Sequence, residues 1–419
     1  MSRVDGAGEF RPEAAEQMTG AAGVASSAAG AASARGMTRR TAVGVAFAGL
    51  AAACTTTTNQ ATQPTPAASA TAGPPEEVLG TGTVPIALLL PLASPLGQSF
   101  RNAAALAVAD FPQGNIRILV KDDGGSDAGA RNAVQQAIGQ GAQLILGPIF
   151  SAAVSGAASV ARPANVPIIG FSTDVSVAGP GVYLLSFLPQ QDVERIVTYA
   201  GSQGKRSMSA LLPDSAYGLV VEAALREIAG RSGIRLLSVE RYAANRSDLA
   251  QKAQAIASVG SQIDSLFVPE GGDAAAAIGT ALSQSGLSGG RVQLLGSGQW
   301  DDPRVSSNPA FNGGWYPAPD KAGFQAFASR YNARYGAAPP RTASLAYDGA
   351  TLAAGLVRSA GPQPFSETVL TNRDGFIGVD GLFRFEPNGQ NRRGLAVYEI
   401  SGGTVQIRVP APRSFAAAS

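Results

Sequence analysis

The side chains in this sequence with the means to hold a small molecule are hydroxyls, a phenol, a carboxylate and an amide. Each follows an apolar run. Ser151 closes Gly147-Pro148-Ile149-Phe150-Ser151, and Ser172 and Thr173 stand in Phe171-Ser172-Thr173-Asp174. Tyr217 lies in Pro213-Asp214-Ser215-Ala216-Tyr217-Gly218, Glu270 in Pro269-Glu270-Gly271-Gly272, and Gln299 in Gly296-Ser297-Gly298-Gln299-Trp300. A hydroxyl beside the free N–H groups of a helix start suits a carboxylate. Glu270 could pair with an ammonium, and Tyr217 could cover a ligand from the other side. Each has a plainer reading. Ser151 could be an N-cap, Ser172-Thr173 an ordinary polar loop, and Tyr217 a core aromatic at a helix start. Glu270 could be a solvated side chain favouring the next helix dipole, and Trp300 could line a cleft or pack a hinge.

The composition removes most catalytic chemistry. There is no histidine, so Ser-His-Asp arrangements, imidazole-zinc sites and the usual neutral-pH base are excluded. No paired-acid site, P-loop or G-x-G-x-x-G is evident, which argues against a dinucleotide. The sequence assigns no catalytic residue, no metal and no cofactor, and reads as non-enzymatic. A net charge of +2 gives no reason to expect nucleic acid as a partner.

The one cysteine, Cys54, ends MTRRTAVGVAFAGLAAAC at residues 37–54. Two arginines, a short apolar run and small residues form the order of an export signal. The run is well short of the ~20 residues a spanning helix needs. A cysteine at that point resembles a bacterial lipobox, although Leu50 stands one residue further from Cys54 than the usual pattern has it. The expectation is a disordered leader at 1–36 upstream of a start at Met37, a lipoprotein signal peptide at 37–53, and lipidation of Cys54. The alternative is an ordinary secretory signal with a chance cysteine. Residues 54–81, rich in Thr, Pro and Ala, read as a flexible tether. The body would then be periplasmic and lipid-anchored to a bacterial membrane, the outer one expected.

The elements that must position the polar clusters alternate. Val84–Leu90 is a continuous apolar run, the mark of a strand buried on both faces. Phe100, Ala103, Ala104, Ala107, Val108 and Phe111 follow at helical spacing. Ser126-Asp127 cap a second helix, and strands are expected at Ile116–Val120, Gln143–Leu146 and Val166–Gly170. The rhythm restarts near Asp192, with strands at Met208–Leu212, Arg235–Val239, Asp264–Val268 and Val292–Leu295. Strands alternating with helices imply parallel sheets, and the tail from Gly381 to Val409 reads as antiparallel hairpins. In such sheets ligands bind beyond the carboxyl ends of the strands, where the polar clusters lie.

IALLLPL followed by GQSFRNAA, then KDDGGSDAGARNAVQQAIGQGAQLILGP, PIIGFST, LLPDSAYG, LFVPEGG and LAYDGATLAA, resemble the type I periplasmic binding fold of the branched-chain amino-acid binding proteins. The resemblance runs from about Thr83 to Val409. It implies an α/β, two-lobed protein, each lobe a parallel sheet flanked by helices, with three crossings near Leu188, Gly313 and Leu370. Lobe 1 would hold 82–188 and 314–370, and lobe 2 would hold 189–313 and 371–410. It also implies that the loops of Ser151 and Phe171–Thr173 hold a carboxylate and that an acid after a second-lobe strand holds an ammonium, where the Gly296–Trp300 loop has Gln299 instead of an acid. From the residues and the resemblance together, the expected ligand-binding set is Ser151, Ser172, Thr173, Tyr217, Glu270 and Gln299. IALLLPL and the lipobox look most like the penicillin-binding protein activator branch, which implies a peptidoglycan synthase as partner. The alternative is a substrate-binding protein that hands an amino acid or small amide to an ABC permease.

Overall fold

Strand β2 (Val84–Leu90) shows why its sequence carries no polar residue. Its side chains alternate between two apolar layers, Ile86, Leu88 and Leu90 on one face, Ala87 and Leu89 on the other. All five are fully buried, each large one contributing about 1.5–3 kcal/mol. In this computed structural model residues 76–415, apart from Gly289, are described. The leader, the signal segment, Cys54 and most of the expected tether lie outside the described residues.

The first lobe is a six-stranded sheet. With β1 (Val78–Leu79), β3 (Ile116–Asp122), β4 (Ile145–Leu146), β5 (Ile168–Gly170) and β6 (Val182–Leu184), its order is β1-β3-β2-β4-β5-β6. All neighbours are parallel except β1, which runs antiparallel to β3. The end of the expected tether is therefore structural: Val78 and Leu79 pair with Leu119 and Ile118, and Glu76 and Glu77 form ion pairs with Lys121 and Arg101. Helix α1 (Pro95–Asp110) is capped by Ser94, whose hydroxyl accepts the Gly97 N–H at 3.0 Å. Helix α2 (Asp127–Gly139) is capped by Ser126 in the same way, and α3 (Ser151–Ala161) packs beside it. Phe111 is an exception to the expected α1 stripe, because it caps the helix and is exposed.

The second lobe repeats the scheme. Its helices α4 (Pro189–Ser202), α5 (Ala216–Arg231), α6 (Leu249–Ser258) and α7 (Ala275–Gln284) alternate with β7 (Ser207–Pro213), β8 (Arg235–Tyr242), β9 (Ser265–Phe267), β10 (Gln293–Leu295) and β11 (Trp315–Ala318). A short α8 (Pro303–Ser306) precedes β11. Helices α9 (Lys321–Tyr335) and α10 (Ser344–Ser359) then return to the first lobe, where Phe327, Tyr331 and Leu345 join its core. After α11 (Glu367–Leu370) come β12 (Phe376–Gly378), β13 (Gly381–Phe385) and β14 (Asn391–Arg393), a small antiparallel sheet. Phe383 and Phe385 of β13 enter the first core, with the Phe385 ring tilted against Tyr183 at 5.5 Å. The hairpin β15 (Ala396–Ser401) and β16 (Thr404–Val409) closes the second sheet, ordered β16-β15-β11-β10-β9-β7-β8.

Two lobes, central parallel strands and flanking helices are thus present, with three crossings. By sheet membership, however, the crossings fall after Leu188, after Ala318 and before Ala396. The second lies beyond Gly313, because β11 pairs with β10 and β15 in the second sheet. The third lies beyond Leu370, because β12–β14 pack on the first lobe.

Hydrogen bonds knit the crossings together. Asn391 Nδ2 and Arg393 Nε both donate to the Ser186 carbonyl at 2.9 Å. The Arg393 N–H donates to Gln191 Oε1 at 2.9 Å, and Arg195 Nε donates to the Leu395 carbonyl at 2.8 Å.

Candidate functional site

The carboxyl ends of β4, β5 and β6 face those of β7, β9, β10 and β11 across a cavity of about 790 Å3. That is within the usual range for small-molecule sites. Its first wall begins at Gly147, which has φ +83° and whose missing Cβ would lie 2.3 Å from the Leu89 carbonyl. Only glycine allows that turn, which delivers Phe150 and Ser151 to the cavity. Ser151 is the first residue of α3; the N-cap is Phe150, so the hydroxyl does not cap its own helix.

After β5 the chain presents Ser172 and Thr173. The buried Ser172 hydroxyl accepts the Asp174 N–H at 3.1 Å, which leaves its proton to be donated. Asp174 accepts the Ser176 hydroxyl at 2.7 Å. That bond, with smaller help from Ser151, holds its carboxyl below the usual range. Phe100 and Phe171, 5.3 Å apart, form the apolar floor.

The second wall carries Asp192, Tyr217 and Gln299. Asp192 sits in the first turn of α4 and accepts the Gly298 N–H at 2.9 Å. Burial pushes its carboxyl up to about 7, the Gly298 bond opposing the shift only in part. The Tyr217 phenol donates to Ser297 Oγ at 3.3 Å; burial raises its pKa, with the Ser297 bond acting the other way.

Of the six expected residues, Ser151, Ser172, Thr173, Tyr217 and Gln299 line this cavity. Glu270 does not, because its carboxylate accepts the Tyr242 hydroxyl within the second lobe. Trp300 neither lines the cleft nor packs the hinge. It is fully buried in the second core, with its indole N–H on the Glu270 carbonyl at 3.2 Å and its ring edge-on to Phe311 at 5.0 Å. Gly296 makes room for that ring.

The sequence reading missed Phe187 and Arg393, which reach the cavity beside crossings, and Arg341, which reaches it from the turn between α9 and α10. Phe187 lies between two guanidinium groups, 4.9 Å from Arg341 and 4.6 Å from Arg393. Arg341 also stacks at 4.1 Å on Phe324 and stands 2.5 Å from the Asp380 carboxylate. Arg393 is almost fully buried, and neither terminal nitrogen has a hydrogen-bond partner among the described residues. Burial lowers its pKa, Asp380 and Asp348 countering.

A sequence model of the periplasmic binding protein family matches residues 83–404. Solved structures share the fold. A putative branched-chain amino acid ABC transporter protein of Rhodospirillum rubrum is 19% identical with a TM-score of 0.68, covering 77% of this chain and 99% of that one. An ABC transporter substrate-binding protein of Desulfitobacterium hafniense in complex with Leu is 20% identical at TM-score 0.59, covering 77% and 99%. A solute-binding protein of Rhodopseudomonas palustris BisB5 in complex with 3,4-dihydroxybenzoic acid is 19% identical at TM-score 0.57, covering 78% and 98%. Among curated proteins, an uncharacterized protein of Rickettsia prowazekii (strain Madrid E) is 24% identical over 165 residues, 39% of this chain; the chain spans 44% of that relative's length. These matches overturn the activator assignment and, with it, the peptidoglycan synthase as partner: the structures are transport binding proteins. The physical reason is that IALLLPL is β2, and a central parallel strand is apolar in any lobe of this kind, so it cannot mark one branch.

Proposed function

The chain belongs to the periplasmic binding protein family, and on that premise we propose that it is the substrate-binding component of an ABC transporter. It would capture a small organic acid between its lobes and deliver it to a permease. The observation that carries this reading is the cavity itself: both lobes line it, its floor is aromatic, and its polar groups converge from opposite walls. A family assignment alone would not suffice, because one fold hosts many functions. The related structures hold Leu and 3,4-dihydroxybenzoic acid, each a carboxylate on an apolar body. In this chain the carboxylate would meet Ser151, Ser172 and Thr173 beside the start of α3, with Tyr217 and Gln299 covering from the second lobe. The role is binding rather than catalysis. The body works in the periplasm, and Cys54 would tether it to a membrane by lipid.

Thermal-shift and calorimetric titration of the full chain against amino acids and aromatic carboxylates tests the reading. One class should bind with single-site stoichiometry and raise Tm, since ligand at 100 times Kd stabilises by about 2.7 kcal/mol. Silence from every member contradicts it.

A further inference from the structure

A second cavity, of about 640 Å3, opens between α10, α11 and the β12–β13 hairpin, and it shares no lining residue with the interlobe cleft. Its walls are mostly apolar: Leu352 and Leu356 come from α10, Val369 from α11, and Phe376, Ile377 and Phe383 from the hairpin. Asp348 is the one charged residue among those that line it. Its Oδ1 accepts the Val379 N–H at 2.8 Å, whereas Oδ2 has no hydrogen-bond partner among the described residues, although the residue is only 2% exposed. Thr351 stands three residues further along α10, on the same face, and its buried Oγ1 is unpartnered as well. No lysine or arginine forms an ion pair with Asp348 among the described residues; Arg341 is engaged by Asp380. Burial and the neighbouring charge of Asp380 raise the Asp348 pKa, with the Arg393 guanidinium countering only in part. Two glycines keep the place open. A Cβ at Gly378 would lie 2.3 Å from Asp348 Oδ2, so glycine there lets β12 pass the carboxyl group. Gly355 lines the cavity two turns along α10, and a Cβ there would meet nothing within 4 Å.

We propose that this cavity is a second small-molecule site, which takes the protonated amine of a short alkylamine on Asp348 and Thr351 and its hydrocarbon against the leucine and phenylalanine walls. The inference does not rest on the interlobe reading. A buried carboxylate without an ion pair carries a desolvation cost that an arriving cation relieves. An ammonium has three N–H groups to give, and Asp348 Oδ2 and Thr351 Oγ1 accept two of them. An anion would meet the Asp348 charge with no basic residue among the lining side chains to offset it. A purely apolar occupant would leave both oxygens buried and unpaired. A neutral alcohol of the same shape gains the hydrogen bonds without the charge, and so binds less tightly.

The test is an NMR titration of the full chain, methyl-labelled at Ile, Leu and Val, at pH 8 with 3-methylbutylamine and its neutral counterpart 3-methylbutan-1-ol. The methyl signals of Leu352, Leu356, Val369 and Ile377 should shift saturably, with the amine about 10- to 100-fold tighter than the alcohol, the worth of a charge-assisted hydrogen bond. Asp348→Asn should bring the amine down to the level of the alcohol. Gly355→Leu fills the open space on α10 at a position where helix propensity favours leucine, and it should weaken both compounds at least 10-fold. Equal binding of the two compounds by the wild-type chain, or no shift at these methyls, overturns the inference. So does a folded Gly355→Leu protein that binds the amine as the wild type does, even where Asp348→Asn fails to fold. Each of these results leaves the interlobe reading standing, because the two cavities have no residue in common.

Discussion

The two walls of the cleft are made of the same units, parallel strands running into helices, yet they present opposite chemistry. The first wall offers donors: the start of α3, Ser151, Ser172 and Thr173. The second offers acceptors: the Asp192 carboxylate, the Tyr217 oxygen and the Gln299 amide. Backbone topology places all but Asp192, which sits in the first turn of α4, just after strand ends and fixes where a ligand can go. The sign of each wall is set by a few loop residues and by which of them are already engaged. Glu270 and Asp192 make the point within one lobe. Both are acids near the cleft edge, but Tyr242 captures one, and among the described residues no lysine or arginine pairs with the other.

The largest effect should come from the seam between the walls. Arg393→Met removes the guanidinium that ties β14 to Ser186 and leaves Asp348 and Asp380 without that cation. It should cost about 3–5 kcal/mol in denaturant unfolding; a change under about 1 kcal/mol would mean that Arg341 alone supports the crossing.

On the donor wall, Ser172→Ala should weaken ligand binding by about 3- to 30-fold with little change in Tm. In the second lobe, outside the cavity, Glu270→Gln should leave affinity within about 2-fold. If calorimetry ranks these two the other way, the contrast between engaged groups and free ones fails.

A smaller effect tests the electrostatics directly. Asp192 has an unfolded pKa of about 3.9 and a folded one of about 7. The folded state therefore holds its proton more tightly, and this group's contribution to stability declines as pH rises from 4 to 7. Asp192→Asn should accordingly melt a few degrees higher than wild type at pH 8 and no higher at pH 4. A gain of equal size at both pH values would show that the carboxylate is not strained by burial.

Much of this was legible in the sequence, and for identifiable reasons. β2 is long and continuously apolar and β7 ends in the apolar run Ala210–Pro213, so their positions and the loops after them could be read directly. Five of six expected residues reach the cavity because strand ends in parallel sheets point one way. Glu270 failed because its orientation depends on Tyr242, on another strand. Strands β6, β11 and β12 lie at the crossings, outside the strand–helix alternation that marked equally short strands such as β5 and β9, so the crossings were misplaced. Phe187 lies just before the first crossing, Arg341 in the turn between α9 and α10, and Arg393 at the end of the three-residue β14, places where no long helical or strand repeat announces a side chain. Asp192 looked like one more acid in a first helical turn; that no ion pair engages it among the described residues appears only in three dimensions.

The central claim is that one ligand bridges both walls. A crystal structure of the full chain with the tightest-binding amino acid tests this most directly. The account predicts density spanning Ser172 and Tyr217, with the ligand carboxylate toward the first. A ligand seated outside the interlobe cavity, or touching one wall only, would contradict it.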